Sequence, residues 1–399
     1  MKHSRWSRLV FLIMLSMPGA STTSVALAAA AERVRARDLG IPFDGTPGPL
    51  NAITDVAGVT VGHTTLISGS GKLQVGHGPV RTGVTAILPR GKDSLSNPVF
   101  AGWFAQNGNG EMTGTTWVEE SGFLEGPLMI TNTHSVGVVR DAVIQWRVAH
   151  AGADASGFYW SLPVVAETWD GWLNDINGFH VKPEHAIRAI DVARSGAVEE
   201  GNVGGGTGMI CNGYKGGIGT SSRHLDSKQG GYTIGVLVQC NYGTRDNLLI
   251  AGVPVGREIP APEPYAFMPS DIAERGSIIV VVATDAPLLA HQLKRIARRV
   301  TLGVGRNGSI SGNDSGDIFI AFSTANSGAG AASKVVDLKM LPNDSLDPVF
   351  RATVEATEEA IVNAMIAAQD MTGADNHHVI ALPHAALRVI LKKYGRLAS

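Results

Sequence analysis

Glu274-Arg275-Gly276-Ser277-Ile278-Ile279-Val280-Val281-Val282-Ala283-Thr284-Asp285 is the stretch that decides how the chain reads. A Gly-Ser pair runs straight into five consecutive β-branched residues, 278–282. No polar residue alternates with them, so the run predicts a strand buried on both faces. Thr284-Asp285 then opens an apolar and basic helix over 287–300, ending near Gly303, and Asp285 is of a residue type that caps such a helix. Ser277 therefore stands at the entrance of a core strand.

Two local readings of Gly276-Ser277 stay open. Gly and Ser are ordinary turn residues, and the pair is then only the turn before the strand. In the other reading Ser277 is a nucleophile, and the bond before it is cut. Its hydroxyl swings onto the Gly276 carbonyl, and Gly276 tolerates the unusual backbone this needs. An N→O shift and hydrolysis leave Ser277 as a new N-terminus. Its α-amine, with a reference pKa of about 7.7–8.0, then serves as a base near neutral pH. Pro260, Pro262, Pro264 and Pro269 make the preceding segment an exposed one, where a cut end is tolerated.

Composition narrows the class. With 33 basic against 35 acidic side chains the net charge is -2, which gives no electrostatic footprint for nucleic acid. No linker divides the chain, so one domain is expected rather than the two or three that about 150 residues per domain suggests. The N-terminus reads as an export signal over residues 1–29. Lys2, Arg5 and Arg8 precede a short apolar core, Leu9-Val10-Phe11-Leu12-Ile13-Met14-Leu15, and Ala26-Leu27-Ala28 is a small-residue cleavage site. The core falls short of the about 20 residues a spanning helix needs, and no later segment is long enough. The mature protein is thus expected to be periplasmic or secreted, without a membrane span. Export permits a disulfide, but two buried free thiols at Cys211 and Cys240 are an equal reading of so sparse a cysteine count.

Along the chain, 52–56 and 59–63 read as two strands about a turn, followed by strands at 83–88 and 128–133 and a helix over 135–148. The glycine-punctuated stretch 101–114 is either a surface loop or a cleft lining. Glu167-Thr168-Trp169 follows an apolar strand-like run: either a solvated acid beside a packed tryptophan, or a rim where Glu167 pairs a cation and Trp169 forms a wall. A helix is expected over 183–200. The run Gly201-Asn202-Val203-Gly204-Gly205-Gly206-Thr207-Gly208 has neither a Walker lysine nor dinucleotide-binding spacing, so it packs closely or lines a site with backbone N–H groups. Strands at 232–241 and 248–256 precede the central stretch. Ser311-Gly312-Asn313-Asp314-Ser315-Gly316-Asp317 is a polar turn leading into a strand at 318–324, and helices at 347–368 and 383–394 close the chain. The histidines show no HExxH and no Cys/His ligand spacing, so neither metal nor cofactor is expected, and His377-His378 reads as a solvated loop pair. Strands and helices grouped on both sides of Ser277 suggest an α/β architecture of stacked sheets with helices outside.

These segments together resemble the autoprocessed serine aminopeptidase family typified by the L-aminopeptidase/D-Ala-esterase/amidase and the β-peptidyl aminopeptidases. The matching stretches are Asn51-Ala52-Ile53-Thr54-Asp55-Val56, Arg81-Thr82-Gly83-Val84-Thr85, Pro163-Val164-Val165-Ala166-Glu167-Thr168, the 201–208 glycine run, Val238-Gln239-Cys240-Asn241, Gly276-Ser277 with its strand, and Ser315-Gly316-Asp317. The resemblance implies an αββα sandwich like that of N-terminal-nucleophile hydrolases but differently connected. It implies self-cleavage at Gly276-Ser277 into an α chain, 30–276, and a β chain, 277–399, and a homo-oligomer, a tetramer of αβ units. Substrates are then short peptides, amides or esters with a free N-terminal amine. Ser277 matches the family's nucleophile, Ser315 and Asp317 the serine and acid that assist it, and Asn241 the oxyanion-hole amide. Glu167 looks like the carboxylate that holds the substrate's amine. At Trp169 the chain departs from members that carry a catalytic tyrosine hydroxyl, and Asp317 stands where some relatives have a glutamate. The rival expectations are an acyltransferase of similar fold, such as the ornithine acetyltransferases, and a non-catalytic periplasmic binding protein.

Overall fold

Twelve of the fourteen strands among the described residues, taken in chain order, frame the site. They are β1 (Thr60–Ser68), β2 (Val80–Lys92), β3 (Val99–Ala105), β4 (Phe123–Leu124), β5 (Leu128–Asn132), β6 (Val164–Thr168), β7 (Ile210–Cys211), β8 (Tyr214–Lys215), β9 (Gly217–His224), β10 (Thr233–Asn241), β11 (Arg275–Thr284) and β12 (Asp314–Ser323). This computed structural model describes residues 34–150, 160–262, 264, 275–331 and 334–397. The expected export signal and most of the proline-rich segment before Ser277 lie outside the described residues. One four-stranded sheet runs β1-β2-β5-β6, and one six-stranded sheet runs β4-β3-β12-β11-β10-β9. Both are antiparallel except for the β5–β6 and β11–β12 pairs.

The unbroken apolar run of β11 is explained by layers on both sides. Alternate side chains point to opposite faces of a strand. Ile278, Val280 and Val282 share a core with Leu293, Ile296 and Val300 of the helix Ala290–Arg306 and with Ile361 and Met365 of the helix Asp347–Ile366. Ile279, Val281 and Ala283 share a second core with Leu128, Ile130, Val164 and Ala166 of the other sheet. The far face of that sheet is covered by the helices Val136–His150 and Pro183–Asp191 through Val139, Val143, Trp146, Ala186 and Ile190. The order is helix, sheet, sheet, helix, the αββα sandwich expected. All five β-branched residues of β11 are fully buried. At about 1.5–3 kcal/mol for each such side chain, burial makes this central strand the anchor of the site.

Several local expectations are corrected. Asp285 caps no helix: its Oδ1 accepts from Thr233 N (2.8 Å), and the helix starts only at Ala290, where Gln292 Oε1 reaches back to Leu289 N. The apolar stretch 248–256 is a turn rather than a strand, with Ala251 at φ 52° and Gly252 at φ 76°, followed by the short helix Val255–Glu258. The expected helix over 183–200 stops at Asp191, because Arg194 exchanges backbone hydrogen bonds with Val61 of β1. The first expected strand, 52–56, is a 3-10 turn, Ile53–Asp55, whose Asp55 carboxylate accepts from Leu50 N and Ala52 N. Of the expected solvated pair, His378 is exposed, but His377 is half-buried and its ring stacks on Trp172 with centroids 3.7 Å apart. Cys211 and Cys240 form a disulfide, so the reading as free thiols fails. Among the described residues no helix is long and apolar enough to cross a membrane.

Candidate active site

A cleft of about 660 Å³ opens at one end of the sandwich, lined by Asn241, Gly276, Ser277, Glu167, Thr133 and Trp169. The 108–111 loop and Asp314 complete its wall. The stretch 101–114 thus divides: Val99–Ala105 is strand β3, and the following loop lines the cleft.

β10, β11 and β12 bring the site together by register. Asn241 pairs with Ser277, and Ser277 with Gly316. By strand alternation Ser277 follows Ile279 and Val281, and Asn241 follows Leu237, so both side chains turn into the space between the sheets. Both are almost fully buried, at 3% and 4% exposed. Gly276 sits at φ 135°, and a Cβ there would stand 1.9 Å from the Asn241 carbonyl oxygen. Only glycine permits so close an approach of β10 to the bond before Ser277.

The Asn241 carboxamide has a defined orientation. Its Oδ1 accepts from Ile210 N at 2.8 Å. A backbone N–H can only donate, so the oxygen must face Ile210 and the Nδ2 donor is turned the other way. An amide donor beside a serine hydroxyl is what a developing oxyanion requires.

Glu167 ends β6 on the opposite sheet, in register with Thr131 of β5. It is neither solvated nor unbonded: Oε1 accepts from Glu111 N (3.0 Å) and Oε2 from Thr133 Oγ1 (2.5 Å). Burial pushes its carboxyl above the ordinary 4.5, against the lowering effect of those two hydrogen bonds. The Ser277 hydroxyl and the Glu167 carboxylate thus approach the cleft from different sheets. Trp169 is 41% exposed and forms part of the wall.

Ser315 and Asp317 are placed differently. Ser315 Oγ donates to Asp317 Oδ1 at 2.6 Å, and both residues are fully buried. Alternation along β12 puts them with Phe319 and Ala321, on the face away from the Ser277 side chain, and neither lines the cleft. Ser315 pairs in register with Gly276, so the pair stands beside the Gly276–Ser277 peptide itself. Asn107 Oδ1 accepts from Asp317 N at 2.8 Å, tying this turn to the cleft loop.

The glycine run packs rather than binds. Gly204 N and Gly205 N donate to the hydroxyls of Thr65 and Thr85. A Cβ on Gly205 would lie 2.2 Å from Gln239 Oε1. Gln239 itself crosses between the sheets to Thr131 O and Thr168 Oγ1. Sequence reasoning missed Thr133, Glu111 and a buried pair, Asp170 and Lys215. Burial raises Asp170 to about 7 and lowers Lys215 to about 7. Lys215 Nζ donates to Met209 O and Gly216 O and so fixes the loop that carries Ile210. The one signal for Thr133 was its place after an apolar strand; nothing in the sequence marked Lys215.

The comparisons agree with this geometry. The profile of peptidase family S58 matches residues 51–379. The chain is 58% identical to the beta-peptidyl aminopeptidase BapA of Sphingosinicella microcystinivorans over 93% of its own length and 95% of that protein's. The solved L-aminopeptidase D-Ala-esterase/amidase of Ochrobactrum anthropi, described as a prototype for the serine aminopeptidases and a variant of the Ntn-hydrolase fold, is 51% identical with a TM-score of 0.84. That match covers 91% of this chain and 99% of the solved one. A Burkholderia sp. beta-aminopeptidase structure is 48% identical with a TM-score of 0.83, over 91% of this chain and 99% of its own. These likenesses favour neither the acyltransferase nor the binding protein. The chain belongs to peptidase family S58 and is a serine aminopeptidase.

Proposed function

We propose that Ser277 is the nucleophile, that the chain cuts itself at Gly276–Ser277, and that the mature enzyme prefers β-amino N-terminal residues, with overlap onto small L- and D-residues. The observation that carries this reading is the meeting of Ser277, Asn241 and Glu167 in one cleft. In self-cleavage Ser277 Oγ attacks the Gly276 carbonyl carbon and the Ser277 nitrogen leaves as an amine. Water then hydrolyses the ester, giving a Gly276 carboxylate and a free Ser277 hydroxyl. In turnover the new α-amine takes the hydroxyl proton as Oγ attacks the substrate carbonyl. Asn241 Nδ2 donates to the resulting oxyanion, and the Ser315–Asp317 pair orients the amine from the other face of the strand. The proton passes to the departing amine, and water releases the acyl group. Glu167 pairs the substrate's ammonium.

The preference for β-residues rests on the similarity to the beta-peptidyl aminopeptidase and the beta-aminopeptidase. One backbone methylene is worth only about 1–3 kcal/mol of discrimination, hence the overlap. The measurement is kcat/KM for β-alanyl, L-alanyl and D-alanyl p-nitroanilides, free and N-acetylated. β-Alanyl is expected first, acetylation should abolish turnover, and Trp169→Ala should admit bulkier residues. A wild type that cleaves L-alanyl faster, or acetylated substrates equally well, sinks the assignment. The smaller fragment should begin Ser-Ile-Ile-Val by N-terminal sequencing. Export through residues 1–29 belongs to the same proposal, and a Cys211–Cys240 disulfide suits an oxidising compartment. The homo-oligomer of αβ units is proposed on resemblance alone.

Glu167 gives a pH signature. Its raised pKa means that it becomes protonated, and loses the ammonium, at a higher pH than an ordinary glutamate. The inhibition constant of the product β-alanine should therefore weaken, as pH falls, from above pH 4.5. Thr133→Val removes a hydrogen bond that favours the charged form and should move this limb further up. An unchanged limb would show that Glu167 does not hold the ammonium.

A further inference from the structure

We propose that the Cys211–Cys240 disulfide is a positioning device for the Asn241 carboxamide; this rests on the reading of Asn241 as the oxyanion donor. Cys240 immediately precedes Asn241 in β10, and Cys211 immediately follows Ile210 in β7. Ile210 N is the group that holds Asn241 Oδ1. The sulfur bridge therefore joins the two residues next to the two partners of that hydrogen bond. On the far side of the bridge, Asn212 N donates to Tyr242 O at 2.7 Å. Ile210 is thus tied to β10 by a covalent link and a backbone rung, while β7 itself is two residues long and, among the described residues, pairs as a strand with β8 alone.

The orientation of Asn241 depends on this tether. With Ile210 N in place, a flipped carboxamide would set donor against donor, so Nδ2 stays turned away from Ile210. If β7 drifts from β10, that constraint goes. Oδ1 can then turn into the cleft and face the oxyanion with a second negative end. Ground-state binding, which runs through Glu167 on the other sheet, is untouched. The expected signature is a fall in kcat at nearly constant KM. Both sulfurs are fully buried, so the bridge acts as a fixed brace rather than as a surface switch.

The test is a double-mutant cycle with Cys211→Ala/Cys240→Ala on one axis and Asn241→Ala on the other. The cysteine pair alone should lower kcat about 10-fold, part of the 10²–10³ for losing such a donor outright. In the Asn241→Ala background the same change should cost nothing more. If the pair does not fold, wild type made in a reducing cytosol replaces it, with its thiols confirmed by alkylation and mass. That protein is compared with a portion oxidised by diamide, which takes up the two hydrogen atoms the thiols lose. An unchanged kcat in the unbridged protein overturns the proposal, as does an equal loss in both backgrounds or a purified exported enzyme whose cysteines both alkylate. If Asn241→Ala itself leaves kcat intact, the oxyanion assignment has failed instead, and the cycle shows which.

Discussion

Ser277→Ala is expected to run as one uncut chain and to lose about 10⁶-fold in turnover, the loss seen when a hydrolase is deprived of its serine nucleophile. Two functions are expected to fall together because one hydroxyl performs both in the proposed mechanism. Without it the Gly276 carbonyl has no attacking group, so no α-amine is released to serve as the base. The fold should survive. The change removes one polar atom from a strand anchored by the buried run behind it, and such a deletion costs about 0.5–1.5 kcal/mol. Circular dichroism and a thermal scan check the fold, and a denaturing gel with intact mass checks the cut. Ser277→Cys should still process, because a thiol also performs the acyl shift. Two fragments from Ser277→Ala would assign the cut to another group, and turnover within about tenfold of wild type would remove Ser277 from the chemistry.

Asn241→Ala carries the second largest effect. Loss of a single oxyanion donor costs about 10²–10³ in kcat, or 2.7–4 kcal/mol. KM should hardly move, because the donor is needed only as charge develops. Asn241→Asp is the sharper variant. It keeps an oxygen for Ile210 N and replaces the donor with a second acceptor, so the hydrogen bond that shapes the loop survives while the cleft faces an anion. It should be at least as slow as Asn241→Ala. If either substitution raises KM and spares kcat, Asn241 binds substrate and the oxyanion is stabilised elsewhere.

The layered fold was legible because β11 announces it: a strand with no polar alternation needs apolar neighbours above and below, and both are present. Ser277 at the entrance of an apolar strand, and Asn241 and Glu167 at the close of two others, stood out along the chain and took their roles from the family resemblance, but their convergence could not be read. That depends on the pairing of β10 with β11 and on the packing of one sheet over the other, which no local pattern encodes. Ser315 and Asp317 show the limit in the other direction. The family resemblance matched them to residues that assist Ser277, and the structure puts them beside the Gly276–Ser277 peptide on the face away from the Ser277 side chain. Helix ends were misjudged at 191 and 287 because a distant backbone, β1 in one case and β10 in the other, claimed the groups involved. The disulfide was undecided for the same reason: strands β7 and β10 are not neighbours in sequence.

The place of β11 in its sheet bears on what the proposed cut leaves behind. From the Ser277 side come β11 and β12, and they are flanked by β10 and β9 on one edge and by β3 and β4 on the other, all from the earlier part of the chain. A break before Ser277 therefore severs the polymer but not the sheet. The two polypeptides of the proposed cut would share the six-stranded sheet and the two cores on its faces, while the outer core of the four-stranded sheet comes wholly from the earlier part. Dilution, which dissolves ordinary complexes, has no purchase on such a pair: parting them means opening the six-stranded sheet on both sides of β11 and β12. The proposed processing would be a covalent event without a dissociation constant to match, and the halves should travel together through every native column and separate only in denaturant.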